Sequence, residues 1–429
     1  MIDAIIGFAN YDIGHTFSTG GGGLAQLNSP CTGSKARGVT GSNSPVGDSF
    51  DVDYVALELG HQFGAPHTFN GNSGGCNGNR TSSNAYEPGS GTTIMAYAGL
   101  CGPQNVQSNT DAYFHQKSLQ MMWNNIVNGN SNCATQTPTG NTAPTSNAGN
   151  DYIIPASTPY KLTGNSTDPD GITTHTYTWE QYDLGQAGAP QETNDSGPLV
   201  RSFEGTNNTI RYVPRISDIL TNGGVSSEWE KLASVNRNLN FKLTVRDNDS
   251  NGGQTATDQM TATVVSSAGP FVVTSQNGND QFWTAGSTET ITWDVAGTNA
   301  NGINEILFPG GELDNTAHSV LINDNINKIP RDQAAAIPPS TSATISPCNV
   351  SVYPKYLNGA NVYSPEAGVV KPQANLTSVQ SIQNPSGEAN VTTLDQSGST
   401  VSAGLCVFET DIEVKAWLVC GVGLLCESG

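Results

Sequence analysis

The chain has 429 residues, of which 37 are acidic and 17 are basic, so its formal net charge is −20 at pH 7. A surface of this sign repels nucleic-acid phosphates and anionic lipid headgroups, and we therefore exclude both as partners. The most apolar run, residues 416–426, is far shorter than the ~20 residues that a membrane-spanning helix needs. The composition thus excludes a membrane span as well.

The most informative motif lies at residues 57–67, which read Leu-Glu-Leu-Gly-His-Gln-Phe-Gly-Ala-Pro-His. An apolar, helix-period run that begins with acidic residues leads into it, so we predict a helix from about residue 51 to Phe63. Positions 57 and 61 are four residues apart and share a helix face, and Glu58 lies beside them. Gly64 can adopt the left-handed conformation that ends a helix, which allows the chain to bring His67 back towards that face.

This motif matches the zinc-protease pattern HExxHxxGxxH at every fixed position except the first. In the intact pattern three neutral imidazoles hold zinc and leave one position open for water, whose proton the glutamate accepts. The pattern predicts His61 and His67 as zinc ligands and Glu58 as the catalytic base. Leu57 occupies the lost ligand position and cannot coordinate a metal. Loss of a mere supporting residue already costs about 10- to 100-fold in metal affinity, so we expect zinc to bind weakly or not at all.

A second element follows at residues 93–97, Thr-Ile-Met-Ala-Tyr. Together with the helix motif it resembles the metzincin zinc endopeptidases, in which a tight turn that carries a methionine forms a hydrophobic floor beneath the metal. The resemblance assigns this floor to Met95. Tyr97 stands where the astacin and serralysin branches have an additional liganding tyrosine. The alternative, a tyrosine that packs near the site without a metal contact, is equally favoured.

Residues 1–135 resemble more closely the reprolysin-type peptidases and their bacterial relatives. The resemblance rests on YDIGHTFSTG at 11–20, GLAQL at 23–27, GHQFGAPHTFNG at 60–71, YEPGSG at 86–91 and TIMAYAG at 93–99. It implies that Gly23, Leu24 and Ala25 belong to the edge strand that pairs with an extended substrate. His15 is expected to pack or cap rather than bind zinc. Met1 falls near the end of the helix before this strand, so the resemblance implies an incomplete, N-terminally truncated domain.

Four cysteines lie within residues 1–135, and sequence alone allows three ways of pairing them. The reprolysin pattern implies nested pairs, Cys31 with Cys133 and Cys76 with Cys101. Disulfides form in an oxidising compartment, so we predict a secreted protein. The chain itself opens with neither the basic start nor the long apolar run of a signal peptide.

The composition changes after Cys133. Residues 136–145 form a polar, proline-bearing linker, and alternating segments at 160–163, 176–182 and 239–245 predict a β-sandwich over residues 146–266 that folds by itself. Its Asp-Pro-Asp-Gly turn, followed by a Tyr-x-Trp strand, resembles the PKD and related immunoglobulin-like modules of secreted bacterial enzymes. Clustered carboxylates suit calcium, whereas Asp-Pro-Asp-Gly is also a strong turn signal. Two roles are therefore open for four aspartates, calcium ligand or turn residue: Asp168, Asp170, Asp247 and Asp249.

A partial second β-sandwich is predicted over residues 270–320. Residues 321–429 are unassigned and predicted to be a poorly structured tail, because the strand alternation fades and polar coil follows. We interpret this tail as an out-of-frame or degenerate continuation. It contains four further cysteines, Cys348, Cys406, Cys420 and Cys426.

The predicted fold class is a multidomain protein: an incomplete α/β metzincin catalytic domain, β-sandwich (immunoglobulin-like) modules and a poorly structured tail. The predicted function is that of a fragment of a secreted zinc metalloendopeptidase, a monomer that hydrolyses internal peptide bonds of proteins. We expect its activity to be impaired by Leu57 and by the absence of the N-terminal half of the domain. The alternative, from another class, is a non-catalytic protein- or carbohydrate-binding or adhesion protein built on a dead peptidase domain. Zinc content and chelator-sensitive proteolysis distinguish the two.

Overall fold

The computed structural model describes residues 2–274, 289–298 and 303, together with short strands in the remaining chain. It contains mixed sheets and few helices. Residues 1–135, called here the peptidase-like region, are built on a three-stranded sheet in the order β1-β3-β2. Strand β1 pairs parallel with β3, and β2 pairs antiparallel with β3, so β2 lies at an edge. The first elements are α1 Ile2–Ile6, β1 Thr16–Ser18, β2 Gly22–Ala25 and β3 Gly38–Gly41.

The predicted helix is present but is wound differently from expectation. The helical run consists of α2 Asp48–Phe50, a π-helix Asp51–Ala56, and α3 Leu57–Gln62. Wider π turns of this kind often occur next to functional residues, and sequence periodicity does not reveal them. Helix α3 ends at Gln62, one residue before the predicted end, and Gly64 follows with a positive φ of +107°, as expected for the residue that ends the helix. The backbone N–H groups of Gly64 and Ala65 bind the carbonyls of His61 and Gly60 at 2.8 and 2.9 Å, which closes the helix and turns the chain towards His67.

The rest of the peptidase-like region consists of loops held by short helices and disulfides. Its helices are the 3₁₀ turns Phe8–Asn10, Gly74–Cys76 and Gly102–Gln104, and α4 Gln116–Val127. The structure confirms the nested disulfides, with Cys31 bonded to Cys133 and Cys76 bonded to Cys101. The second disulfide packs with Phe69, so it fixes the loop that follows His67.

Residues 146–266, called here the two-sheet region, surround one core. A four-stranded sheet in the order β4-β9-β8-β6 and a two-stranded sheet β5-β7 contribute to it. Trp179, Leu239, Phe241 and Leu243 are among its buried side chains. The immunoglobulin-like assignment stays a prediction. The elements are β4 Tyr152–Pro155, β5 Tyr160–Thr163, β6 Thr176–Gln181, β7 Ile210–Val213, α5 Ile216–Asn222, β8 Arg237–Arg246 and β9 Thr255–Val265.

The later part of the chain is described mainly as short strands that pair in small two- and three-stranded sheets. They are β10 Val272–Val273, β11 Glu289–Asp294, β12 Glu305–Phe308, β13 Gly311–Asp314, β14 Ser342–Ile345, β15 Tyr356–Asn358, β16 Asn361–Tyr363, β17 Ser378–Gln383, β18 Ala389–Leu394 and β19 Thr400–Val401. The partial second sandwich and the poorly structured tail stay predictions. The four later cysteines and the apolar run 416–426 lie outside the described residues. Within the described part, every helix is too short or too polar to span a bilayer.

Candidate peptidase site

Helix α3 is held against the sheet by one buried amide. Gln62 is fully buried, and its Nε2 donates to the Gly14 carbonyl and to Ser29 Oγ, each at 3.2 Å. Its Oε1 accepts from Nδ1 of His15 at 2.6 Å, and Nε2 of His15 lies 2.8 Å from Thr40 Oγ1. His15 therefore connects the helix to the sheet, in the packing role predicted for it.

The two predicted histidine ligands converge on one point. Nε2 of His61 lies 3.0 Å from Nε2 of His67. Nδ1 of His61 donates to the Ala65 carbonyl and Nδ1 of His67 to the Asn79 carbonyl, both at 2.7 Å. A carbonyl only accepts, so each neutral ring carries its hydrogen on Nδ1 and directs an unprotonated Nε2 at the other ring.

Two facing lone pairs at this distance repel each other unless they share a proton or a metal ion. Burial, with a smaller contribution from neighbouring His67, lowers the pKa of His61 to about 4, against the bond to Ala65, which raises it. Burial likewise lowers the pKa of His67, again opposed by its carbonyl bond. A shared proton is therefore disfavoured near neutral pH, and the pair is suited to a cation.

The remaining ligand position of the zinc motif, position 57, carries an apolar side chain. Leu57 is 6% exposed and belongs to a buried cluster with Ala65, Ile94 and Met95. Zn–N bonds of about 2.0–2.1 Å at tetrahedral angles place two ligand nitrogens about 3.3 Å apart, so the His61–His67 pair fits a zinc ion. Among the described residues, however, no three His, Cys, Asp or Glu side chains form a group that could hold a metal. The donor set as a whole does not make a catalytic zinc site, because position 57 supplies no ligand.

Glu58 lies beside the histidine pair and is shielded from solvent. It is 5% exposed, and its Oε2 has no hydrogen-bond partner within the described part of the chain. Burial raises the pKa of this carboxyl to about 7. Gly23 of β2 lies so close that a side chain there would collide with the carboxyl group. The edge strand Gly23, Leu24, Ala25 therefore passes directly over Glu58, with Leu24 76% exposed on it.

Met95 lies beneath the helix, and Tyr97 lies beside the second histidine. A β-carbon at Gly60 would collide with Sδ of Met95, which is fully buried, so the methionine fills the space under α3. The Tyr97 ring packs 4.4 Å from the His67 ring and 4.7 Å from that of Phe69, centroid to centroid. Burial, and then the nearby Glu58 charge, raise the pKa of Tyr97. Its ring contacts match the packing alternative, and metal ligation by its hydroxyl stays untested.

Sequence reasoning missed two groups that orient the site. The Asn79 carbonyl fixes the tautomer of His67, and a backbone carbonyl has no signal in the sequence. Glu87 is 2% exposed and accepts hydrogen bonds from the hydroxyls of Thr68 and Thr93. The sequence did carry a signal here, a glutamate within the YEPGSG stretch, but no role followed from it.

The proposed calcium ligands act as turn residues in this structure. Asp168 Oδ1 accepts from the N–H of Asp170 at 2.8 Å, and Asp249 Oδ1 accepts from that of Asn251 at 2.6 Å. Asp247 Oδ1 accepts from the N–H groups of Asp249 and Gln254 at 3.1 and 2.8 Å. Backbone donors thus occupy one carboxylate oxygen each of Asp168, Asp247 and Asp249, and the described residues contain no group of three or more ligands arranged to hold a metal. The calcium assignment is not supported.

Comparison with known families agrees with the site. The family model described as metallo-peptidase family M12B, reprolysin-like, matches residues 1–125. The match covers the three-stranded sheet, helix α3, both histidines, Met95 and most of α4. This part of the chain is therefore similar to a reprolysin-like M12B metallopeptidase domain, and that family depends on zinc in general. A search of the curated proteins found no match to the chain.

Proposed function

We propose that the chain derives from a secreted zinc endopeptidase that hydrolyses internal peptide bonds of proteins, and that Leu57 impairs this activity. The observation that carries the proposal is the convergence of the His61 and His67 Nε2 atoms beside a buried Glu58. Two candidate ligands and a candidate base thus lie together, and among the fixed positions of the zinc motif only position 57 departs from it. The disulfides and the family match support an exported protein that acts on protein or peptide substrates, and we propose that it is a monomer.

The chemistry assigned to the chain's own residues is limited to proton transfer and substrate alignment. A carboxyl whose pKa is about 7 is suited to accept a proton from a nucleophilic water near neutral pH. The unpaired side of β2 offers backbone groups to an extended peptide, which would lie across Glu58. His61 and His67 would hold a zinc ion only together with a third ligand at position 57, and such an ion would supply Lewis-acid chemistry. Met95 supports the helix that carries these groups.

The test uses Leu57→His in the full chain, supplied with zinc, on a quenched-fluorescent peptide library. Positions 57 and 61 are one turn apart in α3, so the new imidazole is directed at the same point as those of His61 and His67. We expect chelator-sensitive cleavage by Leu57→His and little by the parent. Leu57→His with Glu58→Gln is the matched control, since it keeps the three ligands and removes the base. Equal cleavage by that control and by Leu57→His would refute the role of Glu58.

A second candidate function is peptide binding without hydrolysis. Leu57 packs as a core residue with Met95, and the edge strand beside it exposes Leu24. A dead peptidase domain of this kind would bind an extended peptide or another surface and need no metal. If Leu57→His binds zinc stoichiometrically but cleaves nothing, this function is favoured over an impaired peptidase.

A further inference from the structure

The segment Tyr86–Gly91 has no assigned role, although it is one of the stretches on which the family resemblance rests. Its glutamate ties two parts of the candidate site together. Glu87 Oε2 accepts from the N–H groups of Thr92 and Thr93 at 2.8 and 3.1 Å, just before the turn that carries Met95. Its Oε1 accepts from the hydroxyl of Thr68, the residue after His67. One buried carboxylate thus connects the segment that follows His67 with the turn that carries Met95.

Backbone hydrogen bonds reinforce this connection. The N–H of Glu87 donates to the Thr68 carbonyl at 2.9 Å, and that of Asn70 donates to the Glu87 carbonyl at 2.8 Å. The N–H of Thr68 donates to the Met95 carbonyl at 3.0 Å. The three chain segments are therefore aligned by bonds that meet at Thr68 and Glu87. If Tyr86–Gly91 moves, His67 and Met95 must move with it.

The opposite side of the same segment packs against the two-sheet region. The ring of Tyr86 stacks on that of Tyr182, with centroids 4.1 Å apart and planes inclined by 15°. Gly89 has a φ of +56° and approaches the Trp229 ring so closely that no side chain would fit between them. Tyr86 is 9% and Trp229 is 8% exposed, so these contacts are removed from water. Stacking of two aromatic rings contributes free energy beyond the area that it buries.

A second contact between the regions lies next to the carbonyl that orients His67. The guanidinium of Arg80 donates to the Gly185 carbonyl at 2.8 Å and to Asn70 Oδ1 at 2.9 Å. Asn70 in turn donates from Nδ2 to the Gln186 carbonyl at 2.8 Å. Asn79 precedes Arg80, so the loop of the two-sheet region at 185–186 also restrains the residue whose carbonyl binds His67 Nδ1.

The two-sheet region has a much larger hydrophobic core than the peptidase-like region. The two-sheet region has a single large core to which its six strands contribute. The buried apolar side chains around the candidate site form two small clusters, one under Leu57 and one around Phe69. A structure with so few buried apolar contacts opens locally at low free energy unless something outside it restrains it.

We propose that the two-sheet region is the scaffold of the candidate site and that Tyr86–Gly91 transmits its restraint to His67 and Met95. Glu87 is a positioning residue in this arrangement, with Tyr182 and Trp229 as its supports. The proposal goes beyond the proposed function, and its test requires neither zinc nor proteolysis. A failure of the scaffold proposal is therefore distinguishable from a failure of the proposed peptidase function.

The test is amide hydrogen exchange in the full chain after Tyr182→Ala. We expect exchange at Thr68, Asn70 and Glu87 to accelerate about tenfold, while β8 and β9 keep their protection, because only the restraint on the site is lost. Tyr182→Phe keeps the stacked ring and should exchange like the parent. Tyr177→Ala is the matched control. Tyr177 is half-buried like Tyr182 and lies in the strand that precedes it, but its side chain contacts Ser166 and His175. It should leave Thr68, Asn70 and Glu87 unchanged.

Unchanged exchange at these three amides in Tyr182→Ala would overturn the proposal, and so would equal acceleration in β8 and β9, which would indicate general destabilisation. If Tyr182→Ala does not fold, Tyr182→Leu replaces it, because leucine keeps more of the apolar contact area. We expect the same pattern of faster exchange at the three amides and unchanged protection in β8 and β9.

The role of Glu87 is tested separately through the His67 ring. Nitrogen NMR of the side chain should show the Nδ1 hydrogen of His67 in the parent and in Glu87→Gln. The glutamine oxygen can still accept from the N–H groups of Thr92 and Thr93, and its amide group can donate to the threonine hydroxyls. Glu87→Ala should broaden or lose that signal. A sharp, unchanged signal in Glu87→Ala, or its equal loss in Glu87→Gln, would contradict a positioning role.

Discussion

Gly23 of the edge strand lies directly over the carboxyl group of Glu58, and no side chain fits between them. This contact joins the element that is suited to bind a peptide with the group that is suited to move a proton. It also explains the burial of Glu58, because the strand covers a carboxyl that would otherwise face solvent. The spacing between strand and helix is therefore set by a residue without a β-carbon.

The first prediction concerns this contact. Gly23→Ala should lower the free energy of unfolding by roughly 1–3 kcal/mol, because its methyl group overlaps the carboxyl and forces strand and helix apart. Gly21→Ala is the matched control, since a β-carbon there meets no atom within 4 Å. Urea denaturation of the full chain measures both. Adding Glu58→Ala to Gly23→Ala should restore part of the loss, and an additive double variant would contradict the proposed overlap.

The second prediction follows from the pKa of Glu58, which burial raises to about 7 in the folded chain. The unfolded value is about 4.3, so between these values the folded state holds a proton that the unfolded state has lost. The contribution of Glu58 to stability is thus fully present below pH ~4.3 and is lost as pH rises through about 7. Glu58→Gln should gain stability relative to the parent as pH rises from 4.5 to 8.

The low pKa of His61 gives a slope of the opposite sign, because there the unfolded state binds more protons. That slope is common to parent and variant and cancels in their difference. Urea midpoints at several pH values provide the measurement. A stability difference that is constant between pH 4.5 and 8 would show that Glu58 is ionised normally in the folded chain.

The third prediction concerns the aspartates of the two-sheet region. Burial acts to raise the pKa of Asp247, but hydrogen bonds from Asn141, Gln254 and Asp249 outweigh it and lower the pKa. Asp247→Ala should therefore lower the free energy of unfolding by roughly 1–3 kcal/mol, because it leaves these donors unpaired. Asp195→Ala, at an exposed position, should have little effect. Neither calcium nor a chelator should change the melting temperature, and a calcium-dependent rise would restore the calcium assignment.

The fourth prediction is that residues 146–266 fold when expressed alone, since their core is formed by their own strands. Circular dichroism should give a strand-rich spectrum and a cooperative melt. Tyr182 would then be exposed on the surface that contacts Tyr86 in the full chain. A disordered spectrum would contradict both the predicted boundaries and the scaffold role of this region.

The features of the site that depend on neighbouring residues in the chain were predictable from sequence. The contacts between residues far apart in the chain were not. Helical spacing places residue 57 one turn before His61, and Gly64 ends the helix with a positive φ as its residue type indicates. The resemblance to reprolysins correctly implied the nested disulfides. The stacking of Tyr86 on Tyr182 joins residues 96 positions apart, and no local pattern encodes such a contact. The contact of Gly23 with Glu58 depends likewise on how strand and helix pack.

The calcium assignment was not supported because the same residues serve two purposes. Aspartates in an Asp-Pro-Asp-Gly turn can bind a cation or accept hydrogen bonds from the next backbone N–H groups. Composition does not separate these uses. In the structure Oδ1 of Asp168 accepts from the N–H groups of Asp170 and Ile172, which is the hydrogen bonding of a turn residue.

Zinc stoichiometry of the parent and of Leu57→His, measured after dialysis, tests the central claim most directly. The claim is that His61 and His67 already form two corners of a metal site and that position 57 alone leaves it incomplete. The account predicts substoichiometric, easily removed zinc in the parent and about one retained zinc per chain in Leu57→His, because three imidazoles complete the protein ligands of such a site. One tightly held zinc in the parent would contradict the account, as would no retained zinc in a folded Leu57→His chain.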